Sequence, residues 1–132
     1  MKNIISALFI SIACSCAFAE WVFVTNSEDG KLSRYVDPES VRGDGTLVRL
    51  WELSDFKNNP IIYPDKKKAN SMKSQSEWDC KQELWRMLYN IPFTGQMAAG
   101  SPINTYDGEK KWYPVSPGST GQSMFEFACG KR

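Results

Sequence analysis

The residues that could do chemistry in this chain are two cysteines, a scatter of carboxylates and three groups of lysines. No histidine occurs among its 132 residues. That excludes Ser-His-Asp and Cys-His nucleophile systems and imidazole-based metal sites. The carboxylates are placed as turn-formers: Glu28 and Asp29 are adjacent in a polar stretch, and Asp37, Asp44 and Asp65 each neighbour a glycine or proline. No Asp-x-Asp-x-Asp-Gly calcium loop and no phosphate-cradling glycine pattern is present. The chain makes no positive case for an enzyme, and no cofactor or metal is expected.

Cys80 and Cys129 make an even pair in a chain that reads as exported, and a structural disulfide is the default for such a pair. A redox or metal-binding pair is the alternative, without the C-x-x-C spacing it ordinarily uses. Closing a loop of about 50 residues stabilises by about 4 kcal/mol in the chain-entropy account. Lys66, Lys67 and Lys68 with Lys73, and Lys110 with Lys111, are the candidate binding residues, suited to acidic glycans or an acidic protein face. The competing reading is a solvated loop and a protected strand edge. Five Trp, five Tyr and seven Phe supply core at strand spacing and, in part, a protein-contact surface.

Several elements must position these groups. Residues 1–19 form an export signal: Lys2 is the positive start, Ile4 to Ala13 is apolar, and Ala17-Phe18-Ala19 presents small residues at −3 and −1 of a cleavage site. The apolar run is too short to span a bilayer. The alternative is a lipid anchor on Cys14, since Ile12-Ala13-Cys14 matches part of a lipobox and Ser11 departs from it. Removal of the signal takes Cys14, Cys16 and Lys2 with it. Residues 20–132 then form one domain with fifteen basic and fifteen acidic residues. A neutral chain argues against a nucleic-acid partner.

Along this domain, Trp21 to Thr25 is β-branched and aromatic, and Asp29-Gly30 is a hairpin signal into a second strand, Lys31 to Val36. Asp37-Pro38 breaks that strand, and Arg42 to Gly45 makes a further turn. Thr46–Leu53 alternates clearly, with Val48, Leu50 and Glu52 on one face and Leu47, Arg49, Trp51 and Leu53 on the other. Residues 54–70 read as loop. Ser71–Cys80 is a strand with a wet side of Lys73, Gln75, Glu77 and Asp79. Lys81–Ile91 fits helix and strand equally well. Pro92 to Ser101 is a bend, and Lys110 to Val115 is a short edge segment. Ser119 stands three residues before Gln122, a capping box, and Phe125, Ala128 and Cys129 then share one helical face.

An ordered set of landmarks adds a resemblance. These are Trp21, Tyr35-Val36-Asp37, Ser40-Val41-Arg42, Val48 to Leu53, Ser71-Met72-Lys73, Asp79-Cys80, Gly95-Gln96-Met97 with Gly100, Trp112, Pro117-Gly118-Ser119 and Cys129. Together they resemble the surface-adhesin protein E family of exported proteins. The resemblance implies an α+β fold: a single antiparallel sheet of about six strands, with a C-terminal helix tethered to one face by a disulfide. It also resolves Lys81–Ile91 as strand. It implies a non-enzymatic adhesin-like binding protein with a host matrix or envelope protein as partner, and possible homodimerisation. The periplasm is the first expectation for its location, with the outer membrane or cell surface second. A periplasmic enzyme inhibitor of lysozyme-inhibitor type and a small-ligand carrier are the alternatives; the carrier requires an apolar pocket between helix and sheet.

Overall fold

The computed structural model describes residues 20–43 and 45–130. The export signal at 1–19, with Cys14, and the turn residue Asp44 lie outside the described residues.

The β-branched and aromatic stretches form strands where their composition predicts them. Strands β1 (Val22–Asn26) and β2 (Leu32–Val36) make a hairpin. Gly30 takes a left-handed conformation in its turn, φ 71°, which a residue without Cβ adopts freely. Asp37 caps a 3-10 turn at Pro38–Ser40 by accepting the Glu39 N–H. The expected turn at 42–45 instead begins with a two-residue strand, β3 (Arg42–Gly43), paired with β4 (Leu47–Phe56). A Cβ on Gly43 would lie 2.1 Å from the Leu47 carbonyl oxygen, so only glycine fits this close approach.

β4 runs past the expected strand end, through Ser54, Asp55 and Phe56, because β7 (Ser71–Asp79) pairs with it from Leu47 to Asp55 and Leu32 of β2 pairs with Phe56. The polar side chain of Asp55 is accommodated by accepting the Met97 N–H at 2.9 Å. Residues 54–70 are therefore only partly loop: they also hold a separate hairpin of β5 (Ile61–Ile62) and β6 (Lys68–Ala69). β8 (Leu84–Phe93) is the strand that the family resemblance selects. It extends through Pro92, where a bend is expected, and the Pro92 carbonyl accepts from the Ile103 N–H. β9 (Tyr106–Asp107) and β10 (Tyr113–Pro114) pair with β8. Every pairing is antiparallel. The order β1-β2-β4-β7-β8-β10 is a six-strand path, and β3 and β9 bring the sheet to eight strands, against about six expected.

Helix α1 (Thr120–Cys129) starts where the capping residues place it. Ser119 Oγ accepts the Gln122 N–H at 3.2 Å, and the Gln122 side chain accepts from Gly118, one residue before the position a regular capping box uses. Met124 and Cys129 are its buried residues, with Phe125 and Ala128 packed beside them on Val36, Leu50 and Trp78. Cys80 and Cys129 form the expected disulfide, Cα atoms 5.6 Å apart. It joins the end of β7 to the last residue of the helix.

Candidate functional site

The helix covers one face of the sheet; on the other, the turn at Gln96–Ala98 packs over Asp55 and Ser71 at one end, and the rest is covered by side chains alone. Successive strand residues point to opposite faces, so even-numbered residues of β4 and the later part of β7 lie under the helix and odd-numbered ones face away.

Under the helix, charge is enclosed in a network. Glu52 is 1 % exposed. It accepts from Arg34 Nη2 and, at 2.8 Å, from the Ser76 hydroxyl, which in turn accepts from Trp78 Nε1 at 2.9 Å. Arg34 Nη1 donates to the Thr120 hydroxyl at 3.2 Å and so ties β2 to the first turn of the helix. Beside this network, a cleft of about 410 Å³ opens between the helix start and the sheet. Trp78, Trp85, Met87 and Tyr113 give it an apolar lining, and Arg34 and Thr120 give it polar groups. Trp85 and Tyr113 stack with ring centroids 5.4 Å apart. The Tyr113 hydroxyl donates to Glu109, and that bond raises the Tyr113 pKa above its ordinary value.

The open face is built from cations and aromatic rings. The expected wet side of β7 is in fact covered at Glu77, which is 5 % exposed. The covering comes from two arginines: Arg49 Nη2 donates to Glu77 at 3.2 Å, and Arg86 donates through Nε at 2.8 Å and Nη2 at 2.5 Å. The Arg86 guanidinium lies over the Trp112 ring, 4.5 Å from its centroid. Lys73 Nζ sits 5.6 Å from the Trp51 ring centroid and 5.9 Å from that of Trp21. The guanidinium ends themselves cover Glu77, while half of the Arg49 side chain stays exposed.

The lysines singled out from the sequence fall into three settings. Lys73 lies within the open face between two tryptophans. Lys66, Lys67 and Lys68 are exposed at the turn and second strand of the β5–β6 hairpin. Lys110 and Lys111 are exposed just before β10, with Lys111 Nζ 5.5 Å from the Tyr113 ring. Sequence reasoning misses the Arg49–Glu77–Arg86 cluster and its Trp112 cover. A signal for it is present: folding the chain about the turn at 80–83 places Glu77 directly opposite Arg86. Among the described residues, no group of three His, Cys, Asp or Glu side chains is placed to hold a metal ion. No helix among them is long and apolar enough to cross a membrane.

Comparison with solved structures finds the same fold in protein E of Haemophilus influenzae. Its selenomethionine form aligns with a TM-score of 0.64 at 14 % identity, covering 86 % of this chain and 88 % of that one. A second crystal form gives 0.63 at 15 % identity over 81 % and 86 %. The protein from a non-typeable strain gives 0.56 at 14 % over 81 % and 74 %. A search of curated proteins found no match by sequence. A family profile described as surface-adhesin protein E matches residues 21–130. The chain belongs to the surface-adhesin protein E family.

Proposed function

From that membership we propose that this is an exported, non-enzymatic binding protein of adhesin type. Its open sheet face makes contact with host matrix proteins or other cell-envelope proteins. The observation that carries this reading is Glu77 holding Arg49 and Arg86 in place, with Trp112 stacked on the second. Arginine and tryptophan are the residues that dominate protein–protein affinity. Here they are ordered before any partner arrives, which lowers the entropy cost of binding. Arg49, Arg86 and Lys73 gather three cations about Glu77, and the partner surface that fits them carries carboxylates.

The test is binding of residues 20–132 to immobilised matrix proteins, with an Arg86→Ala/Trp112→Ala double variant beside it. Binding that falls at least about tenfold in the variant supports the reading. Wild-type signal no higher than that of an unrelated exported β-protein sinks it. Lys111 lies over Tyr113 on the helix side of the sheet, so Lys110 and Lys111 make a second, separate candidate contact. For self-association the seam we assign is the free edge of β1, where Phe23 is 52 % exposed. Sedimentation showing only monomer at high concentration would remove that assignment. Location follows from processing. A chain beginning at Glu20 works in the periplasm, and one beginning at a lipidated Cys14 works at the outer membrane or surface; the mass of the native protein separates these.

The cleft between helix and sheet favours a second reading, a carrier for a small amphipathic ligand. Its volume and aromatic lining are in the range of small-molecule sites. Quenching of tryptophan fluorescence by such a ligand, abolished in Met87→Trp, is the result expected if the cleft is used.

A further inference from the structure

The β5–β6 hairpin takes no part in the open face, and its composition differs in kind. Ile61 and Ile62 are both exposed, and Ile62, at 63 %, is the most exposed large apolar side chain among the described residues. Lys66, Lys67 and Lys68 follow after Tyr63, Pro64 and Asp65, and Ile62 is paired directly across from Lys68. Residues 57–69 contain four lysines and one acid, Asp65, which makes a solvent-exposed pair with Lys67 at 3.5 Å. The root of the hairpin is fixed. Ala69 is fully buried, the Asn70 amide donates to the Thr94 carbonyl at 2.7 Å, and the Tyr63 ring stacks on Tyr106 with centroids 5.8 Å apart.

We propose that this hairpin seats the protein on an anionic lipid surface. Ile62, on the face it shares with Lys68, enters the boundary between headgroups and acyl chains, and the three lysines reach lipid phosphates. The charge is of the right sign, and lysine stems are long and apolar enough to follow Ile62 inward while the ammonium groups stay among headgroups. Tyr63 and Tyr106 offer amphipathic rings of the kind favoured at that depth. An acidic glycan would engage the lysines and leave Ile62 in water. A protein partner is matched better by arginine and tryptophan, since lysine is depleted from protein interfaces, and those residues lie on the open face instead.

The test is co-sedimentation of residues 20–132 with vesicles of phosphatidylethanolamine and phosphatidylglycerol, compared with vesicles of phosphatidylcholine alone. Binding to the anionic vesicles, weakened by salt, is expected. Each lysine near such a surface adds about fivefold, so K66Q/K67Q/K68Q should lower partitioning about 100-fold. Ile62→Asp should lower it at least tenfold with an unchanged circular-dichroism spectrum, because the side chain packs on little in the free protein. Failure of the wild type to bind anionic vesicles overturns the proposal. So does equal binding by Ile62→Asp, which would mean adsorption by charge alone, or capture by heparin without capture by vesicles, which would mean a glycan site.

Discussion

Glu52 and Glu77 lie on neighbouring strands, both almost buried and both ion-paired to arginine, yet they point to opposite faces of one sheet. Glu52 is closed in by a helix and shares its oxygens with Arg34 and Ser76, whose other bonds lead to Trp78 and Thr120. Its partners are all internal, and its role is to join strand to helix. Glu77 is covered by the two arginines it binds, and Arg49 remains half exposed. The same side-chain chemistry therefore builds a structural joint on one face and a presentable surface on the other. What decides between them is whether the cover is backbone-anchored or made of side-chain ends.

The largest effect expected on this contrast comes from the disulfide, which keeps the helix over the Glu52 face. Cys129→Ser should cost up to about 4 kcal/mol and lower the thermal midpoint by more than about 10 °C, read by calorimetry. An unchanged midpoint would show that packing alone holds the cover in place. Next comes Glu52→Gln, which leaves Arg34 without its counter-charge. A loss of about 3 kcal/mol in denaturant unfolding is expected. Glu77→Gln should cost less, about 1 kcal/mol, because Arg49 and Arg86 can turn to water. Equal costs for the two would erase the contrast between the faces.

The smallest effect concerns an acid on neither face. The Ser27 hydroxyl and then the Lys31 N–H donate to Asp29 and hold its carboxyl below the ordinary carboxylate pKa. A value depressed by folding supports the native state above about pH 4 and loses that support as the pH falls through the folded value. Asp29→Asn should therefore flatten slightly the acid limb of the stability profile, measured by urea unfolding at stepped pH.

Features governed by near neighbours are legible in the sequence. The Ser119 cap, the alternation of Val48, Leu50 and Glu52, and the Asp29-Gly30 turn each depend on residues within a few positions, where spacing is informative. The hairpin at 61–69 escapes such a reading because two-residue strands are shorter than any periodic window. Met124 escapes it beside Phe125 because a helical wheel does not say which of two adjacent apolar residues meets the sheet. The Arg34–Glu52 bond depends on β2 and β4, whose register is set across the connection from 37 to 46. The Glu77 cluster is the recoverable case, since one tight turn determines its pairing. On the open face, alternation correctly places Lys73 and Glu77 away from the core, but it does not register that long side chains can exclude water as well as a helix can.

The Cys80–Cys129 bond also has a mechanical meaning. With the bond closed, residues 81–128 form a covalent loop outside the path of a pull applied to the two termini. About 170 Å of contour is thereby withheld from extension. Stretched by its ends, the oxidised chain can unravel β1 to β7, while β8 and the helix bear no direct load.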